Sequence, residues 1–119
     1  MSKRIFVIDD DKEHAESLAD ILEMRGYEVD VAHSGEAALA RARETPPFDM
    51  ALMDVKLPGI NGVETFLEFQ RLHPQTRVMM MTGFSVGKLV AEAIDKGAEG
   101  VLHKPFSPQA LLQFVESAA

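Results

Sequence analysis

Six side chains in this sequence could do chemistry together: Asp9, Asp10, Asp11, Asp54, Thr82 and Lys104. The aspartates at 9–11 follow the apolar run RIFVI, Asp54 follows MALM, Thr82 follows RVMMM and Lys104 follows GVLH. Carboxylates gathered in a small volume repel one another and raise their own pKa values unless a cation offsets them. Carboxylate and carbonyl oxygens without histidine or thiolate suit a hard divalent ion, magnesium or manganese. Magnesium commonly takes few protein ligands and keeps room for water and phosphate oxygens. The acidic cluster therefore predicts a phosphate as well as a metal. Taken singly, each residue also has a plain structural role. Asp10 and Glu13 have capping-box spacing, Asp11 suits a helix cap, and Asp54 can open a turn. Thr82 can be an ordinary strand-end hydroxyl and Lys104 a solvated charge. Their coincidence at successive strand ends favours a site.

The elements that must position these residues are legible as short apolar or β-branched runs alternating with segments of helical period. Strands are expected at Arg4 to Ile8, Glu28 to Ala32, Met50 to Met53, Arg77 to Met81 and Gly100 to His103. The first helix, from about Lys12, presents Ala15, Leu18, Ala19 and Leu22 on one face and is closed by Gly26. Ser34 caps an alanine-rich second helix through about Arg43, and Pro46 and Pro47 break the chain after it. The loop from Lys56 to Gly62 carries Pro58, Gly59, Asn61 and Gly62, all suited to turns. Val63, Phe66 and Leu67 give the third helix its buried face. Leu89, Val90, Ala93 and Ile94 do the same for the fourth, punctuated by Gly97. Ser107 with Pro108 opens a last helix packed through Leu111, Phe114 and Val115. Five such units in strict alternation imply a parallel sheet with right-handed crossovers and helices on both faces, a doubly wound α/β fold. In such folds ligands gather at the carboxyl ends of the strands.

Composition narrows the function. The 119 residues fit one domain spanning 1–119, and 46% hydrophobic with 26% charged residues is ordinary for a folded chain. A balance of 12 basic against 19 acidic residues leaves a net charge of −7, the wrong sign for nucleic-acid backbones or anionic lipid. No cysteine is present, so disulfides, thiolate metal sites and cysteine nucleophiles are excluded. The opening residues MSKRIFVIDD contain no secretory apolar run, and a cytoplasmic protein is expected. The histidines at 14, 33, 73 and 103 lie in separate segments without metal-ligand spacing and read as surface or packing residues. Neither a GxGxxG nor a P-loop is present to hold a nucleotide.

In order and spacing, VIDDD, MDVKLPGINGVE, MMMTG and GVLHKPF resemble the response regulator receiver domain, the phosphoacceptor module of two-component signalling. The resemblance runs over essentially the whole chain. It implies a flavodoxin-like (βα)5 fold with strand order 2-1-3-4-5. It further implies that Asp54 accepts a phosphoryl group from a phosphohistidine on a sensor histidine kinase or histidine phosphotransfer protein. Asp9, Asp10 and Asp54, with the backbone carbonyl of Lys56, would hold Mg2+. Lys104 and the Thr82 hydroxyl would each meet one phosphoryl oxygen, with Gly83 leaving space beside them, and Pro105 matches a cis proline after the lysine. The surface formed by the fourth helix, fifth strand and fifth helix would meet a downstream output domain or protein. Val101 departs from the family's usual aromatic at that position, so switching would rest on Thr82 and the loop that includes Phe84. Lys56 and Phe84 would tune hydrolysis of the phosphoaspartate. The regulator would assist only its own phosphorylation and dephosphorylation.

Two other readings stay open on sequence grounds. Asp9-Asp10-Asp11 contains the D-x-D of haloacid-dehalogenase-type phosphatases, which would make Asp9 the nucleophile of a Mg2+-dependent enzyme. Lys12 and Glu13 stand where small residues are expected there, and Asp54 would be unexplained. The other reading is a scaffold of the same fold that works without phosphorylation.

Overall fold

The computed structural model describes residues 3–83 and 87–117. Ten elements alternate along the chain. They are β1 (Arg4–Ile8), α1 (Lys12–Met24), β2 (Glu28–Ala32), α2 (Gly35–Glu44), β3 (Met50–Asp54), α3 (Gly62–Leu72), β4 (Arg77–Thr82), α4 (Gly87–Asp95), β5 (Val101–His103) and α5 (Pro108–Glu116). All pairings in the sheet are parallel and the order is β2-β1-β3-β4-β5. The doubly wound fold and its strand order are therefore as expected.

Alternation along the strands divides the core into two layers. Ile5, Val7, Met50, Leu52 and Met81 face one side, where Leu18 and Leu22 of α1 and Leu111 and Val115 of α5 cover them. Phe6, Ile8, Ala51, Met53 and Met80 face the other, beneath Leu39 of α2, Phe66 and Phe69 of α3 and Ala93 of α4. Each fully buried aliphatic or aromatic side chain contributes about 1.5–3 kcal/mol relative to leaving it in water. Met50 and Met53 of β3 and Met80 and Met81 of β4 are buried in this core. Ile94 is the exception among the expected helix faces: it is 45% exposed. The core-facing strip of α4 is narrow, with Ala93 buried and Leu89 and Val90 only half-buried.

Local signals fix the helix ends. Asp11, Ser34, Asn61 and Ser107 each accept a backbone N–H from the first turn, an arrangement worth about 1 kcal/mol apiece. The first cap falls on Asp11 and not on Asp10, which leaves the Asp10 carboxylate outside the capping hydrogen bond. Gly26 and Gly97, at φ of +90° and +118°, close α1 and α4 in a conformation that other residues resist. At Gly62 a β-carbon would strike the carbonyl oxygen of Asp54 and lie 2.7 Å from Cα of Val55. This glycine lets α3 start directly against the end of β3, and its N–H donates to the carbonyl of Val55 at 2.7 Å.

Candidate functional site

The carboxyl edge of the sheet collects the predicted residues because parallel strands end there together. Hydrogen bonding runs one residue further than the sequence suggested on two strands, so Asp54 and Thr82 are the last residues of β3 and β4. The reason is backbone continuity: the N–H of Val55 donates to Met81 O at 2.8 Å, and that of Lys104 to Thr82 O at 2.7 Å. Likewise the N–H of Asp9 donates to Ala32 O at 3.0 Å, which ties the residue after β1 to the end of β2. Asp9, Asp54 and Thr82 are buried, whereas Asp10 is exposed at the rim.

Lys104 sits between two carboxylates. Its Nζ donates to Oδ2 of Asp54 at 2.8 Å and to Oδ2 of Asp9 at 2.9 Å. Oδ1 of Asp54 accepts the backbone N–H of Lys56 at 3.2 Å, and Oδ1 of Asp9 accepts that of Asp11 at 3.0 Å. The two buried aspartates nevertheless differ. Burial pushes the Asp54 carboxyl upward, and although Lys104 opposes this, the neighbouring Asp9 charge adds to it and Asp54 remains above its ordinary value. Burial pushes Asp9 upward too, but hydrogen bonds from His14, Lys104 and the Asp11 backbone outweigh it and hold Asp9 below its ordinary value. Burial works against the Lys104 ammonium, yet its hydrogen bonds to Asp54 and Asp9 prevail and raise its pKa.

One oxygen from each of Asp9, Asp10 and Asp54 lies within 4.8 Å of the others. That spacing and the all-oxygen chemistry fit a hard divalent ion such as Mg2+, and Lys104 already faces two of the three carboxylates. Lys56 is placed by its backbone bond to Asp54, with its side chain exposed. Gly83 stands beside Lys104, where a β-carbon would make only ordinary contacts of 3.8 and 3.9 Å, so space alone does not demand glycine there. The Lys104–Pro105 peptide bond is cis, as the resemblance implied. Val101 is half-buried against the core, and Phe84 lies outside the described residues.

A model of the response regulator receiver domain matches residues 5–116. The chain belongs to that family. As a receiver domain it is 38% identical over 96% of its length to the transcriptional regulatory protein ZraR of Salmonella typhimurium, of which it covers 26%. It thus spans about a quarter of that relative. Among solved structures, a CheY-like receiver domain protein from Methanospirillum hungatei superposes with a TM-score of 0.94 at 33% identity, covering 99% of this chain and 94% of that one. A response regulator from Burkholderia pseudomallei, solved with a phosphorylated aspartic acid and a calcium ion, gives a TM-score of 0.86 at 29% identity and covers 98% and 72%. Receiver domains in general are phosphoacceptors and not catalysts of external substrates.

Sequence reading missed two histidines at this receiver site. His14 places Nδ1 at 2.5 Å from Oδ2 of Asp9, and His33 places Nδ1 at 3.0 Å from the Asp9 backbone oxygen. A carbonyl can only accept, so the His33 nitrogen donates. His73, in contrast, is a core residue between Phe48 and Phe69, as a packing role predicts. Spacing could not reveal the first two, because their shared partner lies five residues away in one case and 24 in the other.

Proposed function

We propose that this receiver domain accepts a phosphoryl group on Asp54 from a histidine-kinase or phosphotransfer-protein phosphohistidine and so switches a partner-binding surface in two-component signalling. The observation that carries this is the unequal pair of buried aspartates. Oδ1 of each accepts a backbone N–H, but Oδ2 of Asp54, the last residue of β3, accepts from Lys104, whereas Oδ2 of Asp9 accepts from both Lys104 and His14. In the transfer, an Asp54 oxygen forms the new O–P bond as the P–N bond of the phosphohistidine breaks, and the leaving imidazole nitrogen keeps the electron pair of that bond. Lys104 meets one oxygen of the transferring group and the Thr82 hydroxyl another, so developing negative charge falls on groups already in place. Mg2+, held by Asp9, Asp10, Asp54 and the Lys56 carbonyl, would supply further charge neutralisation. The phosphorylated aspartate in the Burkholderia relative supports this reading.

The switch would run from Thr82 at the end of β4 to the surface of α4, β5 and α5. The chain covers only part of ZraR, and an output domain or separate effector meeting that surface is the expected partner. Intact-mass spectrometry after incubation with acetyl phosphate tests the acceptor. Wild type with Mg2+ should gain one phosphoryl group, and Asp54→Asn should gain none. Labelling of Asp54→Asn together with its loss in Asp9→Asn would instead identify the phosphatase chemistry. No labelling of wild type, with hydrolysis slowed by low temperature, would favour a scaffold.

A further inference from the structure

The buried Oδ2 of Asp9 accepts from two side chains at once: Nζ of Lys104 at 2.9 Å and Nδ1 of His14 at 2.5 Å. Oδ2 accepts from the Lys104 ammonium, which can only donate, and Oδ1 accepts the Asp11 N–H, so Asp9 acts as the acceptor and His14 donates from Nδ1. The His14 ring also meets Phe106, edge to face, with centroids 5.6 Å apart. Phe106 lies two residues after Lys104. His14 thus connects the carboxylate that shares Lys104 with the loop that carries Lys104.

This geometry matters when Lys104 changes partner. If Lys104 turns from Asp9 to an oxygen of a group on Asp54, the fully buried Oδ2 of Asp9 loses a hydrogen bond. A buried charged oxygen without any donor is strongly unfavourable, and such an oxygen would hold the lysine back. We propose that His14 is a positioning residue for phosphoryl transfer: its hydrogen bond keeps Asp9 satisfied and oriented while Lys104 moves to the phosphoryl oxygen. The inference rests on Asp54 being the acceptor. It assigns to His14 no contact with the transferring group or with the metal.

Two substitutions separate hydrogen bonding from packing. His14→Asn keeps a side-chain N–H near the position of Nδ1, and His14→Phe keeps the ring against Phe106 but removes the donor. Two quantities are measured on each: the Mg2+ dissociation constant of the unphosphorylated protein by calorimetry, and the rate of labelling by acetyl phosphate at saturating Mg2+. Loss of a hydrogen bond behind a metal-binding carboxylate typically costs 10–100-fold in affinity or activity. His14→Phe should therefore lose about 10-fold in both quantities, and His14→Asn should stay within about threefold of wild type. Wild-type behaviour of His14→Phe, or an equal loss in both variants, would overturn the proposal. Thermal unfolding in chelator checks that the variants fold, and His14→Leu substitutes for the Phe variant if that one does not. Absence of labelling in wild type itself would sink the phosphoacceptor reading, and the Mg2+ constants would then decide the role of His14 alone.

Discussion

Ion pairs occupy both ends of the sheet, and they are built differently. At the amino end, Arg77 at the start of β4 pairs through two nitrogens with both oxygens of Glu99, just before β5, and stacks over Phe114 with 5.0 Å to the ring centroid. One cation meets one anion, and the side chains are 28% and 36% exposed. At the carboxyl end, one ammonium serves two carboxylates, Asp9 and Asp54, whose side chains are only 0% and 8% exposed, with Asp10 close by. Stability explains the first arrangement, a neutral pair at the surface. It does not explain the second, where buried negative charge exceeds what the lysine can balance and folding gains nothing from the surplus. Such a surplus suits a divalent cation, the ion that receiver domains bind at their acidic pocket.

Replacing the shared cation is the strongest way to break this comparison. Lys104→Met should slow labelling by acetyl phosphate about 10²–10³-fold, the usual effect of removing one preorganised charge-stabilising donor. The same change leaves two buried carboxylates facing each other, so chelator-treated protein should also unfold at lower temperature. Unchanged labelling would mean that Lys104 is a structural counter-ion like Arg77 and that the two ends of the sheet are equivalent.

The next largest effect concerns the surplus charge itself. Asp54 holds its proton more tightly folded than unfolded, chiefly through burial. The unfolded state therefore releases that proton first, and stability falls as pH rises from the ordinary value of 3.8 through the raised folded value. Asp54→Asn removes that loss. In chelator, the variant should gain on wild type as pH rises through this window and keep its advantage above it. Magnesium should reverse the order, since at 100 times its dissociation constant an ion binding only the folded state returns about 2.7 kcal/mol to wild type. Melting curves with and without Mg2+ from acid to neutral pH measure both. A wild type more stable than Asp54→Asn in chelator at neutral pH would show that Lys104 fully compensates the buried carboxylate.

Much of this architecture was legible from the residues. Strand runs, caps such as Ser34 and Ser107, and closing glycines such as Gly26 are local signals, and local signals survive folding. Asp9, Asp10, Asp54, Thr82 and Lys104 were visible because a parallel sheet brings residues after successive strands to one edge. Their order in the sheet came from family resemblance, since alternation alone does not specify it. What stayed hidden depends on distances that no spacing encodes. Ile94 belongs to an apolar helical face yet is exposed, because α4 packs into the core through Ala93 with only Leu89 and Val90 beside it. His14 and His33 converge on Asp9 from α1 and from the end of β2, and their separation in sequence gives no hint of a common partner.

The smallest expected effect sharpens the comparison from the amino end. Glu99→Gln removes one charge of the Arg77 pair but leaves its shape and most of its packing over Phe114. Hydrogen bonding holds the Glu99 carboxyl below its ordinary value, and that advantage is discounted by partial exposure. The substitution should cost less than about 1 kcal/mol, and added salt should shrink the difference, because solvent already screens the pair. Labelling of Asp54 and its Mg2+ dependence should be unchanged, since Glu99 precedes β5 at the end of the sheet opposite Lys104. Urea unfolding at low and high salt, run beside the mass assay, checks both statements. A loss of labelling with stability intact would show that the amino end communicates with the acceptor through β4, and the division of labour between the two ends of the sheet would have to be abandoned.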